Sequence, residues 1–276
     1  MPRAGYRSIG AVTSLDVIHR ALEVNDANLS LGNEIFQAAG ATFVRNRDAA
    51  DIYDANHVTD IRARATAEVE ELFARVEQEF AGYRHRRFDT DHRTHPSVIA
   101  RLRLGDYERS EGLVMLLEGG LVGAPKEHDI RAVETDADWA AFEDLKTEDW
   151  LEARRKQGRP AEPEVARAMV RVDRRKCPPV RYFLAFLDAK PVAYFNAWEG
   201  LDGMGQVEDL FTLPEYRNRG VATALIHRCV ADCRSRGAKQ VIIVADPSDT
   251  PKRIYAAMGF RPIAVNAHYW KRLDAS

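Results

Sequence analysis

Residues 206–222 read QVEDLFTLPEYRNRGVA. An apolar strand runs into a turn marked by Pro214 and Gly220, and a helix starts from that turn. The N–H groups of a helix's first turn have no intrahelical partner, so they form a ready anion site. Arg217 and Arg219 add positive charge there, while Gly220 and Ala222 add little bulk. The stretch predicts a cradle for a pyrophosphate, and with it a nucleotide-like ligand.

Working outward, the helix runs over Gly220–Arg236 and stops at Gly237. Gln240–Ala245 is a wholly apolar strand after its first residue, as expected where both faces are covered. The unit at 206–245 predicts two parallel strands joined by a right-handed crossover. A helix over Thr250–Met258 ends at Gly259, and Phe260–Trp270 carries one or two final strands. Upstream, Val180–Leu187 and Val192–Trp198 flank the turn Asp188-Ala189-Lys190-Pro191 and predict an antiparallel hairpin. Before them lie a strand at His128–Glu134, a helix at Asp136–Leu145 capped near Asp136, and a helix at Pro163–Arg174. Parallel and antiparallel pairs together make a mixed sheet, which argues against a simple doubly wound nucleotide fold.

The first half is patterned less sharply. Leu15, Val17, Ile18, Ala21 and Leu22 predict a short helix; Ala41–Arg45 and Asp51–Ile61 read as strands. Val69, Leu72, Phe73, Val76 and Phe80 share one face of a helix over Thr66–Phe80, with Thr66 as its N-cap. Arg84–Asp89 reads as a short strand, Pro96–Leu104 as a helix capped by Gly105, and Leu113–Leu117 as a strand. The stretch Gly119-Gly120-Leu121-Val122-Gly123-Ala124-Pro125 interrupts the pattern and divides the chain into 1–122 and 128–276.

Composition narrows the function. The chain has 276 residues, room for two domains, and 45% hydrophobic content, enough for packed cores. A net charge of −2 supplies no pull toward nucleic acid or an anionic membrane. The opening MPRAGYRSIGAVTSLDV lacks an apolar core of signal-peptide type, and no apolar run reaches the length of a membrane span. Cys177, Cys229 and Cys233 are too few for a disulfide framework. The expectation is a cytoplasmic protein acting on a small molecule, as a monomer or homodimer, without nucleic acid or membrane partners.

Residues 128–270 resemble the GNAT superfamily of acyl-CoA-dependent N-acyltransferases. Arg217-Asn218-Arg219-Gly220-Val221-Ala222 matches the family pattern [Q/R]-x-x-G-x-[G/A], and Pro214-Glu215-Tyr216 resembles its usual lead-in. Tyr255-Ala256-Ala257-Met258-Gly259-Phe260 matches a second block, Tyr-x-x-x-Gly-Phe at the end of a helix. The six-residue pattern alone is weak; the ordered pair with an apolar strand between is specific. In one departure, Ser248, with Asp249 beside it, stands where the family often carries an asparagine, and that puts one cofactor contact in doubt. A looser echo links 96–117 with 251–270: a helix, a glycine, then a strand. The connection Asp60-Ile61-Arg62-Ala63-Arg64-Ala65 before the helix at 66–80 has no glycine. The resemblance implies an α/β (α+β) fold with a mixed, mostly antiparallel central sheet flanked by helices, as a tandem of a degenerate and an intact GNAT-like domain. One active site is expected, in the second.

The implied reaction moves an acetyl group from acetyl-CoA to a primary amine by direct transfer, with no metal. An amine with an ordinary pKa of roughly 10 must lose a proton before it attacks. The resemblance gives the backbone of Leu210, Phe211 and Thr212 to the pantetheine arm and thioester. It gives Arg217, Asn218, Arg219, Gly220, Val221 and Ala222 to the pyrophosphate, and Ser248, Lys252 and Arg253 to the rest of the cofactor. Tyr255 stands at the position of the proton donor to the leaving thiolate. Glu208 and Asp209 are candidate bases, on opposite faces if the strand alternates regularly; the resemblance favours Glu208.

Each assignment has a plainer rival. Tyr255 fits a core tyrosine, and Glu208 fits an ion pair. Cys229 and Cys233 at i, i+4 suit two buried hydrophobes better than a metal pair, since no second pair has matching spacing. His85, His92, His95, Asp89 and Asp91 suit a solvated loop or a substrate-lining segment better than a metal site. Trp139, Trp150, Trp198 and Trp270 fit a core or an acceptor pocket equally. The charged segment 146–178 is expected to line the acceptor cleft. A non-catalytic CoA-binding or sensing protein, and an enzyme using a longer acyl-CoA, are the alternatives.

Overall fold

The computed structural model describes residues 13–248 and 250–273; the readings on residues 1–12 and on Asp249 lie outside it. The first half contains α1 (Leu15–Ser30), β1 (Glu34–Ala38), β2 (Ala41–Arg45), β3 (His57–Thr59), α2 (Thr66–Glu79), β4 (His85–Thr90), α3 (Pro96–Leu104) and β5 (Glu108–Leu117). The second contains β6 (Asp129–Ala132), α4 (Asp136–Lys156), α5 (Pro163–Arg175), β7 (Arg181–Leu187), β8 (Lys190–Leu201), β9 (Met204–Thr212), α6 (Val221–Ser235), β10 (Gln240–Ala245), α7 (Pro251–Ala257) and β11 (Arg261–Arg272).

Among the described residues all eleven strands form one sheet, in the order β1-β2-β3-β4-β11-β5-β10-β9-β8-β7-β6. Only β3–β4 and β9–β10 are parallel; the expected pair at 206–245 and the hairpin at 180–199 both form. Each half repeats one plan: a three-stranded meander, a helix, a strand, a helix and a last strand. The last strands are exchanged. β11 lies against β4, β5 lies against β10, and the two pair with each other at the centre. The final segment is therefore one strand with an irregularity at Pro262–Ala264.

Two cores flank this arrangement. In the first half Val69, Leu72, Phe73 and Val76 of α2 pack with Phe43 and Phe88. That is the helical stripe read from the sequence, meeting the inward positions of β2 and β4. The larger core packs α4 and α6 against the second half of the sheet, through Phe142, Tyr182, Tyr194, Leu225 and Cys229. Val241, Ile242 and Ile243 of β10 are buried, as their uninterrupted apolar run requires.

Some local readings need correction. Residues 51–61 are not one strand. The Asn56 amide donates to Ala49 O (2.7 Å) and Ile52 O (2.9 Å), and its Oδ1 accepts from Asn46 N (2.7 Å). Such side-chain bonds compete with a ladder, so a 3-10 turn at Tyr53–Ala55 precedes the short β3. Thr66 is the first helical residue rather than the cap. Ala65 takes the cap position, and the Glu68 carboxylate accepts from the N–H groups of Arg64 (2.8 Å) and Ala65 (3.1 Å). α4 begins at Asp136 as read, with Thr135 as its cap. α4 continues to Lys156 because no breaker stands before Gly158, and α1 continues to Ser30.

Candidate functional site

The site begins where the sheet opens. β9 and β10 pair at Met204–Gln240, Gly205–Val241 and Gln206–Ile242 and then part, although each strand runs on. On its other edge β9 is irregular: Tyr194 pairs with Phe211 and Asn196 with Glu208, so Phe195 faces two residues. Asp209 takes up the extra length with φ +67°. This is a β-bulge, which bends a strand and re-aims its side chains. Glu208 and Asp209 consequently line the same cavity of about 360 Å³, not opposite faces as regular alternation predicts.

The two carboxylates differ in their partners. Asp209 is ion-paired with the Lys146 ammonium, which also lies 3.9 Å from Asp173. Behind this pair the Tyr194 hydroxyl donates to Asp149 (2.6 Å) and the Tyr182 hydroxyl to Asp173 (3.1 Å). Glu208 has no ion-pair partner among the described residues; the Gln206 side-chain amide donates to it at 3.0 Å. Burial pushes its pKa up to about 7, outweighing that hydrogen bond. A carboxyl titrating there is poised to take a proton near neutral pH.

The turn lies farther along β9. A 3-10 turn at Pro214–Tyr216 leads to Asn218 and Gly220, both left-handed (φ +63° and +88°), and α6 begins at Val221. No side chain caps its first amides. The arginines do not extend toward those amides as the sequence reading expects. Arg217 donates to Thr212 O (3.0 Å) and pairs with Glu152 (2.5 Å); Arg219 donates to Glu215 O (3.1 Å) over the Tyr216 ring. Both brace the turn. The stem of Lys126 packs over Gly220: its Cδ would lie 3.0 Å from a Cβ there. Lys126 follows the glycine-rich linker, and no motif marks it.

The other anticipated residues are dispersed. Leu210, Phe211 and Thr212 continue β9 toward the turn. The Ser248 N–H (2.7 Å) and hydroxyl (2.6 Å) both donate to Asp246, and the Lys252 ammonium donates to Pro247 O (2.6 Å). Tyr255 is buried, its ring edge-on to Phe260 at 6.2 Å. It does not line the cavity of Glu208.

That cavity continues into a wider one of about 750 Å³; both are bounded by Ile52, Asp54, Arg87, Trp150, Met169 and His268. Both halves contribute, and so does the 146–178 segment. Four buried polar atoms on the smaller cavity lack hydrogen-bond partners among the described residues: Asn28 Nδ2, Trp150 Nε1, Asp173 Oδ2 and Asn196 Oδ1. Native interiors rarely leave such groups unsatisfied, so the wall is built for a polar occupant. The tryptophans separate here: Trp139 and Trp198 are core, while Trp150 and Trp270 face the cleft. Cys229 and Cys233 are buried in the core around α6, and the three histidines disperse: His85 stacks on Tyr53, His92 on His19, and His95 caps α3. No group of three or more His, Cys, Asp or Glu side chains able to hold a metal occurs among the described residues.

Among the described residues no helix is long and apolar enough to cross a membrane. A comparison with curated proteins finds no match. Among solved structures, a GCN5-related N-acetyltransferase from Kribbella flavida is similar at 15% identity and TM-score 0.66, over 91% of this chain and 95% of that one. A functionally unknown conserved protein from Staphylococcus epidermidis ATCC 12228 is similar at 13% identity and TM-score 0.66, over 88% of this chain and 95% of that one. A tandem GNAT protein from the clavulanic acid biosynthesis pathway is similar at 14% identity and TM-score 0.54, over 78% of this chain and 72% of that one. These likenesses concern the fold alone. The model of the Acetyltransferase (GNAT) family matches residues 139–260, which hold the opened strands, the turn and Tyr255. Residues 139–260 of the chain are thus a GNAT-type acetyltransferase domain.

Proposed function

We propose that the chain is an N-acetyltransferase, moving an acetyl group from acetyl-CoA to a primary amine of a small molecule by direct transfer in a ternary complex. The observation that carries this reading is Glu208: a carboxyl without an ion-pair partner, pushed up to about 7, where β9 parts from β10. The donor fits the residues present. The uncapped amides at 218–222 suit a pyrophosphate, with the stem of Lys126 packed over Gly220 and no Cβ there to crowd it. The gap between the strands suits an extended pantetheine arm along Leu210, Phe211 and Thr212. Ser248 and Lys252 are assigned to the remaining cofactor contacts.

Bound acetyl-CoA supplies the activated acyl group as a thioester. Glu208, directly or through a water, takes the proton that frees the amine's lone pair. Tyr255 is assigned the return of a proton to the leaving thiolate, which requires its hydroxyl to reach the gap from α7. Residues 128–276 carry the single site, and residues 1–122 complete the wall of the cleft. We place the reaction in the cytoplasm, on a monomer or homodimer, without nucleic acid or membrane partners.

The test is release of free thiol from acetyl-CoA across a panel of primary amines. Turnover is expected, and Tyr255→Phe should lower kcat by about a hundredfold. CoA binding without turnover of any amine, and no effect of Tyr255→Phe, would favour the non-catalytic CoA-sensing reading instead.

A further inference from the structure

The cleft has two ends of opposite character. Around Glu208 acids predominate: Asp54, Asp149, Asp173 and Asp209 stand with it against Lys146, Lys176 and Arg87, and Lys146 is paired with Asp209. The wider cavity is basic, lined by Arg84, Arg87, Arg109, Arg154, Arg159 and Arg272 against Asp51, Asp54, Glu108 and Glu162. Three of these guanidiniums already have carboxylate partners. Arg87 is held by Asp54 and Asp89, Arg109 by Glu111, and Arg159 by Glu108 at 2.9 Å.

Arg84, Arg154 and Arg272 have no carboxylate partner among the described residues. Arg154 donates only to neutral acceptors, Pro160 O (2.8 Å) and Gln157 Oε1 (3.3 Å). Its guanidinium stacks on Trp150, 5.1 Å from the ring centre. Across the cavity Arg159 stacks on Trp270 at 5.0 Å, and Tyr53 lies 5.6 Å from Trp270. A guanidinium held against an aromatic face keeps its donor fork open to a second, planar acceptor. Trp150 itself borders both cavities, with its Nε1–H buried and unpartnered.

We propose that the acceptor is an elongated zwitterion: its amine lies at the Glu208 end, and an anionic group, carboxylate or phosphate, is held by Arg154 with Arg84 and Arg272. The body between the two ends would lie in the wider cavity, which Trp150 and Trp270 both line. This proposal rests on the acetyltransfer reading for the amine end; recognition of the anion stands on the wider cavity alone.

Matched probes separate the two. para-(Aminomethyl)benzoate is compared with its neutral carboxamide, and para-(aminomethyl)phenyl phosphate with the corresponding phenol. Each is measured for acetylation and, by calorimetry on the CoA-bound full chain, for binding. At least one anionic probe should exceed its neutral partner by about tenfold or more in kcat/KM and in affinity, and whichever pair shows it identifies the group. Arg154→Gln should collapse that ratio toward one, and Arg154→Lys, which keeps the charge but not the fork, should retain part of it. Neutral probes that equal the anions in both readouts, or an unchanged ratio in Arg154→Gln, overturn the proposal. Preferential binding of an anion without turnover supports it and counts against acetyltransfer.

Discussion

The two halves use the same β-α-β device to opposite ends. In the first, β3 leads through Asp60–Ala65 into α2 and back to β4; in the second, β9 leads through 213–220 into α6 and back to β10. Both strand pairs are parallel, and at both helix starts the first amides lack partners within the helical ladder. At α2 the amides of Arg64 and Ala65 are taken by Glu68, at the third helical position. The carboxylate also puts negative charge where a pyrophosphate would have to lie. At α6 the third helical position is Thr223, no side chain caps the helix, and Gly220 leaves space under Lys126. One acid in place of an open helix start separates a structural unit from a candidate anion site.

The comparison can be broken in several ways. Removing the proposed base should have the largest effect: Glu208→Gln should lower kcat by about a hundredfold or more, with acetyl-CoA affinity kept. Transplanting the first half's carboxylate into the second comes next. Thr223→Glu should weaken acetyl-CoA binding by ~10- to 100-fold, since it removes charge-assisted bonds and adds repulsion. Its melting temperature should hold or rise, because an acid in the first turn favours the helix.

The pH profile should show the same base. Burial raises the Glu208 pKa to about 7, so the carboxylate fraction grows with pH up to that value. Below it kcat/KM should fall about tenfold per pH unit. Above it the rate should level until another group titrates. An arm rising near pH 4.5, the ordinary value for glutamate, would contradict the raised pKa of Glu208. A smaller effect is expected at Lys126, where Ala should raise KM for acetyl-CoA by ~3- to 10-fold, less so at high salt. Smallest is Glu68→Gln, which should lower the melting temperature slightly without creating a second CoA site.

These contrasts also explain what the sequence disclosed. The order of elements from residue 128 onward was legible because each carries a local signal: Gly237 and Gly259 end helices, and the run Val241–Val244 can only be a covered strand. The same local logic found Gly220 and the absence of a glycine at 60–65. What escaped it is set by contacts distant in the chain. The bulge at Asp209 belongs to the pairing of β9 with β8, and it brings Glu208 and Asp209 to one cavity. Lys126 reaches Gly220 across nearly a hundred residues, from a linker with no pattern of its own. Nothing local reveals that β5 and β11 exchange places, since each strand pairs as well with one partner as with the other. The ties of Arg217 to Glu152 and of Arg219 to the Glu215 backbone carbonyl depend on the folded turn, which the motif does not show.

The central claim is that one half alone holds the cofactor. Equilibrium titration of CoA into the full chain tests it most directly, with wild type, Thr223→Glu and Glu68→Gln measured side by side. The account predicts one CoA per chain, strongly weakened by Thr223→Glu and unchanged by Glu68→Gln. Two CoA per chain, or binding that survives Thr223→Glu and fails in Glu68→Gln, would contradict it.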